Sequence, residues 1–323
     1  MNLYPLKFQP ISKYRIWGGE KIKTILNKDF NENNIGETWE ISGVNGDETV
    51  VSEGPLKGQT LKNIIETYKE HFVGNNTYKH FGNEFPLLIK FIDAKLPLSI
   101  QVHPNDVLAK QRHNSFGKNE MWYIMEADES AEIIVGFNKE CSKKEFQHKL
   151  ENAEVLDIMN AVKVSEGDTF YIPAGRIHAI GSGVLLAEIQ QTSDVTYRVY
   201  DYNRVDAKTG EKRELHVDLA LDVIDYGFHK EYKTSYKQIK NESNKLVHSP
   251  YFNTNFIEIT TEITKDYTLL DSFVIYICVD GHFEISCNNT TYTVSKGETI
   301  LLPAAIQKVI LSAEFAKLLE VYI

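Results

Sequence analysis

Val164-Ser165-Glu166-Gly167-Asp168-Thr169-Phe170-Tyr171-Ile172-Pro173-Ala174 returns later in the chain as Val294-Ser295-Lys296-Gly297-Glu298-Thr299-Ile300-Leu301-Leu302-Pro303-Ala304. Six of the eleven positions are identical and one more is acidic in both, which a common strand-turn pattern does not give by coincidence. Each copy reads as strand, turn, strand: the glycine supplies the turn conformation, and the proline ends the second strand before a tight loop. The repeat therefore predicts two β units of one design, each built from packed sheets. Beyond the shared Ala the copies part. The first continues Gly175-Arg176-Ile177-His178, the second Ala305-Ile306-Gln307, so only the first places a histidine after the turn.

His178 has company upstream. The stretch Phe91-Ile92-Asp93-Ala94-Lys95-Leu96-Pro97-Leu98-Ser99-Ile100 has strand character and runs into Gln101-Val102-His103-Pro104, with Ser99, Gln101 and His103 alternating onto one face. Lys118 and Glu120 are likewise two apart, at the start of the strand-like Met121-Trp122-Tyr123-Ile124-Met125. Catalytic zinc sites keep three protein ligands and one open position, and His103, Glu120 and His178 meet that count, with the Gln101 amide oxygen as a weaker fourth. A single histidine in an apolar segment is more often a hydrogen-bonded core residue, so the reading rests on the set.

The set belongs to a longer ordered pattern: Ile16-Trp17-Gly18-Gly19, Gly36-Glu37-Thr38-Trp39-Glu40-Ile41-Ser42, Phe85-Pro86-Leu87-Leu88-Ile89-Lys90, then the segments around His103, Glu120 and His178. Ser193-Asp194-Val195-Thr196-Tyr197-Arg198-Val199-Tyr200-Asp201-Tyr202 and Arg213-Glu214-Leu215-His216 close it. In this it resembles the type I mannose-6-phosphate isomerases, zinc-dependent members of the cupin superfamily, in their short bacterial form. The resemblance implies a mainly β chain of two cupin-type jelly rolls with helical insertions. It also implies one Zn2+ per chain on His103, Glu120 and His178, with Gln101 at a variable fourth position, and an active-site arginine at Arg198.

Composition fits. The 323 residues are ample for two cores, and a net charge of −10 argues against general affinity for nucleic acid while allowing a local phosphate pocket. The N-terminal residues lack the apolar core of a signal peptide, and no run of about eighteen apolar residues occurs, which points to the cytoplasm and away from membranes. Cys141, Cys278 and Cys287 are too few and scattered for a disulfide framework. Apolar spacing predicts helices over 60–72, from Ser142 toward Asn160 behind a capping box with Glu145, and over 215–226. The polar segment 227–250 suggests a boundary, giving a catalytic domain over 1–235 and a degenerate one without metal ligands over 236–323. The other histidines read as solvent-facing, apart from His216, which reads as a brace at a helix start.

The implied reaction interconverts mannose 6-phosphate and fructose 6-phosphate through an enediol, with a small sugar phosphate as the partner. Lys118, beside the metal and partly desolvated, is expected to have a lowered pKa and is the first candidate for the base. Glu188 and Asp194 are rivals, as carboxylates in a water-poor pocket. Arg198 stays protonated and suits stabilisation of the enediol or a forked phosphate contact; Lys90 and Ser99 are the stronger candidates for holding phosphate. A two-His, one-Glu cupin could also be an Fe(II) dioxygenase, but that leaves Lys118 and Arg198 without work. A non-catalytic sugar-phosphate binder is the other alternative.

Overall fold

The computed structural model describes residues 3–323. The first β unit is a pair of sheets: a six-stranded one in the order Thr169–Ile172, Glu120–Ala127, Val184–Gln191, Leu87–Ala94, Ile11–Gly19, Ile35–Ile41, and a five-stranded one in the order Tyr197–Tyr200, Ile100–Val102, His178–Ile180, Glu132–Phe137, Met159–Lys163. The second unit is one eight-stranded system whose long strand Val274–Cys287 serves both of its halves. The jelly-roll reading and the mainly β class hold.

Three central strands of the six-stranded sheet explain the arrangement. Glu120–Ala127, Val184–Gln191 and Leu87–Ala94 are buried almost throughout, and their alternation sends two sets of side chains in opposite directions. Trp122, Ile124, Leu186 and Ile92 face inward and pack with Ile133, Val135 and Ile180 of the opposing sheet. Met121, Tyr123, Ala187, Ile189, Ile89 and Phe91 face outward into a larger core shared with Ile275, Ile277, Leu319 and Val321 of the second unit. The two units are thus joined by a common core, not by a linker alone.

The sequence repeat is a structural repeat. Gly167 and Gly297 both have positive φ (88° and 84°). Ile124 N–H donates to Asp168 O (2.9 Å) as Cys278 N–H does to Glu298 O (3.0 Å), and the acidic side chain of each turn accepts from the serine N–H before it, 3.0 and 2.7 Å away. The registers also match: Ile172 pairs with Glu120 and Leu302 with Val274. The second unit has valine where the first has the candidate carboxylate.

The helices are shorter than periodicity alone predicts. The 60–72 segment is two helices, Leu61–Tyr68 and Glu70–Val73, broken at Lys69 (φ 49°) so that Phe72 and Val73 turn into the core. Ser142 does cap Lys143–Glu151 by accepting from Glu145 N–H (3.2 Å), but Ala153 at φ 57° breaks the helix, only a 3-10 turn over Val155–Ile158 follows, and Met159–Lys163 is an edge strand. Of 215–226 only Val217–Leu221 is helical, because Asp225 N–H leaves to bond Gly175 O (2.8 Å). The strand read over 91–100 is two strands in different sheets, Leu87–Ala94 and Ile100–Val102, separated by a bend around Pro97.

Alanine at Gly167 should cost about 1–2 kcal/mol for the left-handed backbone alone. At Gly297 the added Cβ would also lie 2.7 Å from Leu26 Cβ of the first unit, so the loss should be larger. Urea unfolding of the two variants checks this; equal losses would show that the Leu26 contact yields without cost.

Candidate metal centre and substrate pocket

His103 follows strand Ile100–Val102, His178 opens His178–Ile180, and Glu120 opens Glu120–Ala127, so the two sheets of the first unit bring them together at one mouth of the jelly roll. All three are buried, and their candidate ligand atoms lie within 4.8 Å of one another. Glu120 Oε1 is 3.2 Å from His103 Nε2, and Glu120 Oε2 is 3.7 Å from His178 Nε2. Metal bonds near 2 Å in a tetrahedron need ligand atoms about 3.3 Å apart, so small rotations complete such a site.

The donor chemistry fits as well. His103 Nδ1 lies 3.0 Å from Val195 O and His178 Nδ1 2.9 Å from Arg176 O. A carbonyl only accepts, so each Nδ1 carries the hydrogen and each Nε2 keeps a lone pair toward Glu120. Both Glu120 oxygens and His178 Nε2 are buried with no partner in hydrogen-bond geometry. Burial pushes the His103 imidazole down to about 3, helped by the Lys118 charge and opposed by Glu120, and burial lowers His178 too. The rings are therefore neutral, as a metal requires. Gln101 pairs directly opposite both His178 and Arg198, which puts its amide on the same face.

A pocket of about 390 Å³ lies beside this cluster, meeting it at Lys118 and Gln101, and is lined also by Ser99, Glu188, Lys90, Asp194 and Arg198. The sheets thus assemble the whole predicted set. Their environments differ from expectation in two cases. Lys118 is buried, and burial would lower its pKa, but the charges of Glu120 and Glu188 outweigh it and hold the pKa above the ordinary lysine value. The ammonium, 2.8 Å from Glu120 Oε1, is the favoured form here, contrary to the neutral amine expected from desolvation alone. Asp194 is exposed at the rim, where the pocket meets a larger cleft, so only Glu188 of the two rival carboxylates is in a water-poor setting. Burial raises the Glu188 pKa, assisted by the Glu120 charge and opposed by Lys90 and Lys118. Its Oε2 accepts from Trp122 Nε1 (2.9 Å).

Sequence reasoning passed over Arg15 and Glu37. Arg15 holds Glu37 through Nε and Nη2 (2.8 and 3.2 Å), Trp39 Nε1 donates to the same carboxylate (2.8 Å), and Lys90 sits between Glu188 (3.2 Å) and Glu37 (3.8 Å). Both lie in or beside motifs already singled out, and the signal was the polar residue facing inward on a fully buried strand, Glu37 in Ile35–Ile41. Trp17 and Trp39 line the pocket, whereas Trp122 packs edge-on against His178. His216 does brace the site: its N–H donates to Arg198 O (2.7 Å) and its Nδ1 accepts from Arg198 N–H (3.3 Å).

Comparison with known proteins agrees with this geometry. Residues 6–146 match the model of the phosphomannose isomerase type I catalytic domain, and residues 242–323 that of the mannose-6-phosphate isomerase cupin domain. The chain is 34% identical over 304 residues to a probable mannose-6-phosphate isomerase of Bacillus subtilis, covering 93% of this chain and 94% of that one. It is 34% identical to the mannose-6-phosphate isomerase of Streptococcus mutans, covering 94% and 93%. The crystal structure of the Bacillus subtilis mannose 6-phosphate isomerase superposes with a TM-score of 0.89 at 31% identity over 99% of both chains.

The depressed His103 pKa has a thermodynamic consequence. The unfolded chain, with an ordinary histidine near 6.5, takes up a proton before the folded one does. The stabilisation from neutral His103 in the metal-free protein should be complete above about pH 6.5 and be lost as pH falls toward 3, by up to about 1.4 kcal/mol per pH unit. His103→Gln should flatten that part of the stability-pH curve, measured by urea unfolding of the chelator-treated protein; an unchanged slope would mean that His103 is not the titrating group.

Proposed function

The chain belongs to the type I phosphomannose isomerases, which makes it an aldose-ketose isomerase, and from that premise we propose that it interconverts mannose 6-phosphate and fructose 6-phosphate through an enediol beside a zinc ion. The observation that carries the zinc reading is the buried His103, Glu120 and His178 cluster, whose Glu120 oxygens and His178 Nε2 have no partner in hydrogen-bond geometry. Zinc on those three, with Gln101 as the fourth ligand, would supply a redox-inert Lewis acid for the oxygen on which charge develops.

The remaining steps fall to the chain's own residues. Two protons must move: one from carbon to the adjacent carbon, the other between the neighbouring oxygens. Lys118 reaches toward His103 Nε2 (3.4 Å) as well as Glu120, so its amine lies beside the ligand cluster. If Glu120 gives its charge to a cation, the largest of the carboxylate influences that raise Lys118 is engaged elsewhere, and the next, Glu188, is weakened when that acid is neutral. Burial, the largest influence on Lys118, then favours the neutral amine that can take the carbon-bound proton. Glu188 carries a raised pKa in the same pocket and suits the oxygen-bound proton, which it can hold in its neutral form.

Phosphate needs a cation whose charge is free. Arg15 is paired with Glu37, Arg213 with Asp201, Lys118 with Glu120, and Lys90 with both Glu188 and Glu37. Arg198 donates Nη1 to Glu214 O (2.8 Å), its buried Nε has no partner, and among the described residues it makes no ion pair. It therefore takes the phosphate in this reading, with buried Ser99 as a supporting donor, and Lys90 keeps to balancing the two acids.

A coupled assay with mannose 6-phosphate should show turnover that is lost on chelation and restored by zinc. Activity that survives complete removal of metal defeats the zinc reading. Lys118→Met should retain zinc and substrate binding while turnover falls roughly 100- to 10,000-fold, with solvent-deuterium incorporation into substrate falling alongside. Near-normal exchange in that variant would move the base to Glu188. Arg198→Ala should raise KM for the phosphorylated sugar more than it lowers kcat; a change in kcat alone would take the phosphate away from Arg198.

A further inference from the structure

Between Lys118 and Glu120 lies Asn119, buried and turned away from the cluster, and its partner is Gln191, also buried, at the end of strand Val184–Gln191. Asn119 donates twice to Gln191 Oε1, from the backbone N–H (3.0 Å) and from Nδ2 (2.6 Å), and Gln191 N–H donates back to Asn119 O (3.1 Å). The other end of each amide is committed too. Asn119 Oδ1 accepts from Ala174 N–H (3.0 Å), and Gln191 Nε2 donates to Asp106 Oδ1 (3.1 Å), which also accepts from Gly117 N–H (2.8 Å).

This pair joins four separate segments, and each leads directly to the site. Asp106 lies three residues beyond His103; Gly117 and Asn119 flank Lys118 and precede Glu120; Ala174 opens the loop to His178; and Gln191 begins the loop to Val195, whose carbonyl fixes the His103 ring. Two further backbone bonds close the frame, Lys118 N–H to Pro104 O (3.2 Å) and Gly175 N–H to His103 O (2.9 Å). The ladder that pairs both Ile172 and Gln190 with Glu120 stops just short of these residues, and the segment carrying Asp106 follows a strand of the other sheet. The two amides carry the pairing past the ladder's end and tie it to the segment that follows His103.

We propose that Asn119 and Gln191 are positioning residues, an amide clasp that sets the mutual distances of His103, Glu120 and His178 and aims Lys118, without touching metal or substrate. The assignment of Lys118 rests on the isomerase reading above; the part concerning metal affinity does not. Both side chains must be amides, since each uses its oxygen as acceptor and its nitrogen as donor at once.

Gln191→Glu preserves shape but turns the donor facing Asp106 into an acceptor, and Gln191→Met removes both functions. In each, the metal dissociation constant measured by chelator competition should rise about 10- to 100-fold, as for loss of an outer partner of a metal ligand. With metal saturating, kcat for mannose 6-phosphate should fall while KM holds. Gln111→Glu, an exposed change on helix Asp106–His113 with the same charge, should alter neither. Folded Gln191 variants that bind metal as tightly as the parent overturn the proposal. So does a lowered melting temperature with unchanged metal affinity, the signature of a mere structural brace. If the Gln191 variants do not fold, Asn119→Ser decides by the same readouts. A parent protein that binds metal tightly yet does not isomerise mannose 6-phosphate defeats the functional reading and leaves the affinity comparison to judge the clasp.

Discussion

The carboxylate of Glu120 is 1% exposed, and a buried charge without compensation is too costly to persist. Much of the site follows from how the chain meets that constraint. Lys118 supplies a cation two residues away on the same face, and two neutral histidines point their unprotonated nitrogens at the carboxylate. Neither arrangement gives the oxygens a well-formed hydrogen bond. A cluster with acceptors in excess of donors is electrostatically unfinished, which is the arrangement that fits a metal site. The ordering of the pocket beyond it is a second consequence, because every inward polar residue of the central strands must be balanced laterally. Glu188 is set against Lys90, Lys90 against Glu37, and Glu37 against Arg15, so charge alternates in sign across the sheet and, among the described residues, leaves Arg198 as the pocket cation without an acid.

The second unit shows what the same fold does when no ligand is required. Glu188 pairs across the sheet with Trp122, and Glu320 occupies the corresponding place opposite Tyr276. Both acids are buried. Glu320 is satisfied by its own unit: Lys265 (2.7 Å), Tyr267, Ser243 (2.8 Å) and Asn255 (2.8 Å) all reach it, and their attraction outweighs burial to hold its pKa below the ordinary value. Glu188 has the Lys90 charge beside one oxygen (3.2 Å) without a well-formed hydrogen bond to it, and its pKa is raised. The difference between a sealed polar core and a pocket therefore lies in how many of an acid's neighbours come from the protein itself, not in the position of the acid.

Much of this was legible in the sequence, because it rests on period-two alternation and on turn chemistry. The repeat around Gly167 and Gly297, the shared face of Ser99, Gln101 and His103, and the pairing of Lys118 with Glu120 are all local patterns. What escaped reading depends on distant neighbours. The Lys118 pKa is decided partly by Glu188, seventy residues on in the chain. Asp194 and Glu188 look alike in sequence, yet one ends at an open rim and the other beneath Trp122. Lys69 and Ala153 break helices at residues with no intrinsic preference for a left-handed backbone, where tertiary packing overrides propensity. Arg15 and Glu37 pair across strands, and nothing in either strand alone announces the other.

The common core gives the second unit a part in the chemistry, although it lines none of the pocket. The strands bearing Glu120, Glu188 and Lys90 are apolar on the face opposite the site, and that face is covered by Ile275, Ile277, Leu319 and Val321. Side chains alternate with a period of two, so a slip of one residue in any of these strands would carry its charged group into the apolar core and an apolar group into the pocket. Burying the outer face makes such a slip costly in both directions. A single sheet with its outer face in water would tolerate the displacement far better, and the ligand distances would loosen with it. Precision at the metal centre is thus enforced from behind, by packing that never meets the substrate.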